Sequence, residues 1–185
     1  MRPQRPLPGE PRTLLRIAVD ALRLLTMLVL AVLLQTTLAP HVRVLGASPD
    51  FTLLAVVCVG LLRGSEIGAV FGFVAGAGVA VSVFGPLGLS SFVLVIIGYF
   101  SGRYAETADT SSGFAPIVTV VVGTVVGVLL STVMQFLLDR QVPLGFTLTR
   151  VFLPSLVLNG LLAAPVYLLA RSWLREEVRK SVLPA

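Results

Sequence analysis

Charged residues are what this sequence has least of. They make up 12% of its 185 residues, against about 25% in a typical soluble domain. Apolar residues make up 56%, and the mean hydropathy is +0.96. This composition excludes a soluble enzyme core and is typical of a protein that crosses a membrane several times.

Cysteine and histidine are equally scarce. The single cysteine, Cys58, lies inside an apolar stretch, which excludes an intrachain disulfide and a thiol-rich metal site. The single histidine, His41, lies in a predicted outer loop with no second metal ligand near it in sequence. The glycine-rich stretches lack the lysine of a phosphate-binding loop, and no Gly-x-Ser-x-Gly elbow occurs. We therefore predict a protein that is not an enzyme and that holds no metal and no cofactor.

Long apolar stretches occupy most of the chain and predict an all-α integral membrane protein, a polytopic bundle of six helices. They cover approximately residues 22–39, 51–62, 67–84, 89–100, 115–138 and 151–170. The second and fourth are only about twelve residues long, or roughly 18 Å at 1.5 Å per residue, which is less than the roughly 30 Å of a hydrocarbon core. Such short helices predict local thinning of the bilayer or shelter inside the bundle.

Three regions follow from this pattern. Residues 1–21 are predicted to be a cytoplasmic segment with an interfacial helix, because Arg12, Arg16, Asp20 and Arg23 recur on one helical face. Residues 22–170 form the six-span membrane domain, and residues 171–185 form a basic cytoplasmic tail. The start of the chain does not have the pattern of a cleavable signal peptide.

The distribution of positive charge predicts the orientation in the membrane. Eleven Lys and Arg residues fall on the side of the predicted spans that holds both termini, and three fall on the other side. Short cytoplasmic loops retain positive charge, so both termini are predicted to be cytoplasmic. The basic balance is explained by this topology and by the lipid bilayer; we expect no binding to nucleic acid.

Glycines recur at intervals of four in the third, fourth and fifth spans. This spacing lets helix backbones approach closely in a membrane. Two interpretations stay open: packing within the bundle, or a groove that accepts a partner helix. The glycines concerned are Gly68, Gly72 and Gly76, then Gly98 and Gly102, then Gly123 and Gly127.

Polar residues at the predicted outer ends of the spans are the next candidates. Ser48, Pro49 and Asp50 predict a helix start, with Ser48 as its cap. Gln35 is interpreted as a packing residue rather than a ligand-binding one. Asn159 begins a polar, small-residue segment and is the best single candidate for lining an internal groove.

The order of several short motifs resembles the family of rod-shape-determining protein MreD. Family members often carry an acidic residue after the third-span glycines, where this chain has Ala80. The likeness covers most of the chain. The motifs are Gln35, Pro49-Asp50, Leu61-Leu62-Arg63-Gly64, Gly68, Gly72-Phe73, Gly76, Leu87-Gly88, Gly98-Tyr99 and Gly102-Arg103.

The resemblance implies a non-catalytic scaffold of the cell-elongation machinery in the bacterial cytoplasmic membrane. It implies binding to MreC and cooperation with RodA, penicillin-binding-protein synthases and MreB in organising peptidoglycan synthesis. It also implies a fold similar to the substrate-binding subunits of energy-coupling-factor transporters. The expected partner-binding residues are Gly68, Gly72, Gly76, Gly98 and Gly102 in a groove for the MreC helix, with Arg63 and Arg103 in nearby cytoplasmic turns; Gln35, Pro49, Asp50, Gly64, Gly88 and Asn159 are expected to be structural.

Two other functions remain open at this stage. One is the substrate-binding subunit of a small-molecule, vitamin-like transporter with its ligand near Asn159. Such a site needs several convergent donors and acceptors, of which the sequence offers few. The other is a transferase acting on lipid-linked substrates, which would need a cluster of carboxylates that the sequence does not supply.

Overall fold

The computed structural model describes residues 11–42, 47–85, 88–107, 114–137 and 152–175. These residues form six helices, which confirms the predicted all-α membrane bundle. The first ten residues and residues 176–185, which hold most of the predicted tail, lie outside the described part. The helices are α1 Pro11–Leu33, α2 Phe51–Arg63, α3 Ser65–Ser82, α4 Leu89–Thr107, α5 Ala115–Leu137 and α6 Leu153–Arg175.

Within the described ranges, four segments are long and apolar enough to cross a membrane: Ile17–Leu38, Ser65–Ser82, Ala115–Met134 and Leu153–Leu174. The first includes most of α1 and the π-helical turn Leu34–Leu38 that continues it. Helix α1 runs unbroken from Pro11 through the expected boundary at residue 22, so the interfacial helix and the first span are one helix. The position of the membrane surface along α1 remains a prediction.

Helix α2 lies at the centre of the bundle. Its 13 residues span roughly 20 Å, and every residue from Thr52 to Leu61 is buried. It contacts the other five helices. The prediction that a short helix is sheltered inside the bundle is confirmed for α2, because lipid would meet almost none of its surface.

Helix α4 is longer than its apolar stretch indicated. It has 19 residues and continues to Thr107, so the helix extends beyond Phe100, where the fourth apolar stretch ends. The extra turns carry Arg103 and Glu106, which pair with each other at 3.0 Å. Glu106 also accepts hydrogen bonds from Ser65, at the start of α3. These contacts keep the polar end of α4 helical beyond the point where hydropathy falls.

Candidate functional site

The glycines spaced four residues apart allow α3 to pack closely against α4. Gly68 lies opposite Gly98, and a Cβ atom added to Gly68 would stand 2.5 Å from the carbonyl oxygen of Gly98 and 2.8 Å from the Cα atom of Gly60. Gly72 lies against the carbonyl of Leu94 in the same way. Only glycine fits at such distances, because the facing atoms belong to backbones that cannot rotate away.

The space beside the remaining glycines of the predicted groove is also occupied by backbone atoms. A Cβ atom on Gly76 would stand 2.5 Å from the backbone nitrogen of Ser91, and one on Gly102 would collide with the backbone of Ser65. All five glycines are buried. The expectation that they form an open groove for a partner helix is therefore wrong. These glycines instead pack within the bundle, as the alternative interpretation predicted.

The turn between α2 and α3 is held by charged side chains. Arg63 donates two hydrogen bonds to the carboxylate of Asp20 in α1, at 2.9 and 3.1 Å. The next residue, Gly64, has a φ of +91°, which favours glycine at the junction. Glu106 accepts from both the backbone N–H and the hydroxyl of Ser65, each at 2.8 Å. Both arginines predicted to face partners thus form ion pairs within the chain, Arg63 with Asp20 and Arg103 with Glu106.

A polar cavity lies at the other end of the bundle, where α1, α3 and α5 finish and α2, α4 and α6 begin. Its volume is about 310 Å³. Gln35, Pro49, Asp50 and Asn159, which the sequence singled out separately, all line it. The other polar lining residues are Ser48, Thr52, Ser90, Thr124, Ser131, Thr132 and Ser155.

Asp50 and Asn159 build the framework of this cavity. The Asp50 carboxylate accepts the backbone N–H of Leu53 at 2.9 Å, and the Asp50 carbonyl accepts that of Leu54 at 3.0 Å. Asp50 is therefore the N-cap of α2, and the prediction of Ser48 as cap is wrong. The reason is that Asp50, and not Ser48, lies within reach of the free amides of the first turn.

Asn159 links three helices through its amide. Its Oδ1 accepts the backbone N–H of Asp50 at 2.9 Å, and its Nδ2 donates to Thr124 Oγ1 at 3.2 Å. The side chain is almost fully buried. Its placement beside a cavity agrees with the prediction that Asn159 lines an internal groove.

Gln35 and Thr52 form the side of the cavity next to α1. The Gln35 side chain accepts the backbone N–H of Thr52 at 3.4 Å. The Thr52 hydroxyl is buried and has no hydrogen-bond partner among the described residues. Sequence analysis missed Thr52, Thr124 and Ser155 as lining residues, because threonine and serine in a membrane helix usually bond to their own backbone.

Gly60 is a further closely packed glycine that the sequence analysis did not identify. A Cβ atom there would stand 2.7 Å from the carbonyl of Gly98. The signal was present, since Gly60 precedes Gly64 by four residues and Gly68 by eight. Gly88, before α4, has a φ of +101° and open space around it, so its conformation rather than close packing favours glycine.

An apolar groove of about 440 Å³ lies between α4 and α5. Its surface includes Phe100, Tyr104, Val118 and Val122, all of them exposed. Gly123 lies at its base. In a membrane such a groove is covered by lipid chains or by another helix.

The ionisable groups of the described residues do not assemble into a reactive centre. No group of three or more His, Cys, Asp and Glu side chains lies together in the described ranges. Cys58 is completely buried, and the His41 ring bonds to the backbone carbonyl of Thr37 at 2.7 Å. The arrangement can hold helices together and offer one polar cavity; it supplies no paired acid and base.

Comparison with known protein families gives one match. Residues 16–176 match the family model described as rod shape-determining protein MreD. Neither a curated protein nor a solved structure matches the chain. The matched range extends from α1 to just beyond the end of α6 and contains both the cavity and the glycine interface.

Proposed function

Because the chain belongs to the family of rod shape-determining protein MreD, we propose that it is a non-catalytic scaffold of the cell-elongation machinery that binds an MreC-like membrane protein. Its general role in rod shape determination follows from the family. The observation that carries the finer proposal is the match over residues 16–176. Through MreC it would organise peptidoglycan synthesis together with RodA, penicillin-binding-protein synthases and MreB.

The roles of the carboxylates support a scaffold rather than an enzyme. Asp20 is bound to Arg63, Asp50 caps α2, and Glu106 binds the start of α3. Each of these groups stabilises a junction between helices. A catalytic acid or base would instead need to reach a substrate in a shared pocket.

The apolar groove between α4 and α5 is the surface that we propose for the MreC membrane helix. Its walls are almost entirely apolar, as a membrane helix that packs through apolar side chains requires. Phe100 and Tyr104 offer exposed aromatic surface on one wall. The glycine rows of α3 and α4 are already occupied by each other, so this groove takes their place as the proposed partner site.

The cytoplasmic partners would meet the end of the bundle that carries Arg63 and Arg103. This assignment rests on the distribution of positive charge, which favours both termini in the cytoplasm. Arg103 is more exposed than Arg63 and is the better candidate for a contact outside the chain.

The test of the groove compares two tryptophan substitutions at exposed positions. Val122→Trp fills the groove, whereas Leu161→Trp places the same side chain on the exposed face of α6, outside the groove. A misfit of about 1–2 kcal/mol corresponds to a loss of about 5- to 30-fold in recovery of MreC with the tagged protein. Leu161→Trp should recover MreC at the unsubstituted level.

Equal recovery with both variants, each inserted at normal levels, would show that MreC binds elsewhere. A loss with Leu161→Trp alone would transfer the site to α6. Failure of the unsubstituted protein to recover any MreC would reject the scaffold proposal itself.

A further inference from the structure

We propose that the polar cavity at the start of α2 binds a small organic molecule that carries an ammonium group. The cavity volume of about 310 Å³ lies at the lower end of the range of ligand pockets. It equals the liquid volume of about ten water molecules, so a bare ion would not fill it. The proposal does not depend on the binding of MreC.

The charge of the cavity wall selects a cation. Among the described residues that line the cavity, Asp50 is the one ionisable residue, and none is Lys, Arg or His. No described Lys or Arg forms an ion pair with Asp50. The partly buried Asp50 carboxylate would attract a cation, and an anionic ligand would meet no positive group among the described lining residues.

The hydrogen-bonding capacity of the wall selects a donor. The hydroxyl of Thr132 donates to the carbonyl of Val128 at 2.7 Å, which leaves its oxygen as an acceptor. Asn159 Oδ1 accepts one bond, from the backbone N–H of Asp50, and retains a second lone pair. With the Asp50 carboxylate, these oxygens form a wall rich in acceptors, which complements the three N–H donors of an ammonium group.

An independent observation indicates an occupant. Thr52 lines the cavity, is 2% exposed, and its hydroxyl has no partner among the described residues. Buried hydroxyls are nearly always hydrogen-bonded. The neighbouring backbone N–H of Thr52 already donates to Gln35, so the bundle satisfies the main chain at this position and leaves the side chain for a ligand.

Thermal unfolding of the purified full chain tests the proposal, with a thiol-reactive dye reporting the exposure of Cys58. This residue is the only cysteine of the sequence and is completely buried. The probe is ethanolamine, and the matched control is ethylene glycol, which replaces the ammonium by a hydroxyl. Ionic strength is held constant. Ethanolamine should raise the unfolding midpoint in proportion to the logarithm of its concentration above the dissociation constant, by about 3–6 °C at ten times that constant, and ethylene glycol should not.

Two carboxylate substitutions locate the effect. Asp50→Asn keeps a good N-cap and should abolish the shift, whereas Glu66→Gln, at an exposed position outside the cavity, should retain it. If Asp50→Asn does not fold, Thr132→Val tests the same site. This variant should weaken the binding of ethanolamine several-fold. Equal shifts with ethylene glycol, or a full shift in Asp50→Asn, would overturn the proposal.

The same chemistry has two sources, a free amine and a lipid headgroup. Nanodiscs of phosphatidylglycerol, with or without phosphatidylethanolamine, distinguish them. If the headgroup is the ligand, phosphatidylethanolamine should raise the midpoint and remove the response to ethanolamine. If the ligand is a free amine, that response should persist in both membranes. No response to either amine, in the presence of a folded protein, would reject the site.

Discussion

Replacing Gly68 by alanine tests the contact on which the centre of the bundle depends. The added Cβ atom would stand 2.5 Å from the carbonyl oxygen of Gly98, which is roughly 0.9 Å closer than the 3.4 Å at which ordinary contact begins. It would also stand 2.8 Å from the Cα atom of Gly60. Helix α3 would have to move away from α2 and α4 together, because neither obstacle is a side chain that can rotate.

Overpacking of this kind costs about 1–3 kcal/mol. The better helix propensity of alanine returns about 0.5–1 kcal/mol, so we expect Gly68→Ala to lose about 1–2 kcal/mol. For a chain of this length the loss corresponds to a fall of about 2–8 °C in the unfolding midpoint. The assay is thermal unfolding in detergent, reported by labelling of Cys58.

Gly160→Ala is the matched control, since it makes the same change in a helix where space exists. Its Cβ atom would meet only a methyl group of Val121, at 3.4 Å. We expect an unchanged or slightly higher midpoint. An unchanged midpoint for Gly68→Ala, in a protein whose Gly160→Ala variant also behaves normally, would refute the close contact between α3 and α4.

Three further predictions concern the charged turn, the cavity and the topology. Asp20→Asn should cost about 1 kcal/mol, because it leaves Arg63 without its partner, and the exchanged pair Asp20→Arg with Arg63→Asp should recover most of the loss in the same unfolding assay. Asn159→Leu should cost about 1–3 kcal/mol, since the partly buried backbone amide of Asp50 loses its acceptor; a midpoint within error of the unsubstituted protein would contradict this role. With Cys58 buried, a cysteine at Phe84 should react with a membrane-impermeant maleimide in intact cells and one at Glu66 only after permeabilisation; the reverse pattern would invert the predicted orientation.

The helices could be predicted from the sequence because their cause is local. A stretch without charge that is long enough to enter a membrane predicts a helix whatever residues surround it. Helix α4 shows where this signal ends. Arg103 and Glu106 lower the hydropathy of its last turns, so the apolar stretch ends before the helix does. The stabilising contacts of Glu106 with Ser65 and Arg103 can be recognised only in the structure.

The spacing of the glycines predicted close packing but did not identify the helix that they face. Gly68 and Gly98 each carry the same pattern that an open groove would carry. Which helix fills the space depends on the path of the chain between them. The assignment to an internal interface therefore required the fold.

Some residues of the cavity were predictable from the sequence, but their convergence on one cavity was not. Gln35, Asp50 and Asn159 were each unusual enough to be noticed, being polar groups beside apolar stretches. Their convergence depends on how the starts of α2 and α6 meet the end of α1. Thr52 could not be identified in sequence, because its lack of a partner is a property of the packed bundle.

The most direct test of the account is to tag the protein in its own host, extract it in mild detergent and identify by mass spectrometry every protein that accompanies it. The account predicts recovery of an MreC-like protein together with cell-wall synthases. Recovery of ATPase and coupling subunits of a transporter, without MreC, would contradict the scaffold function and favour the alternative of a substrate-binding subunit.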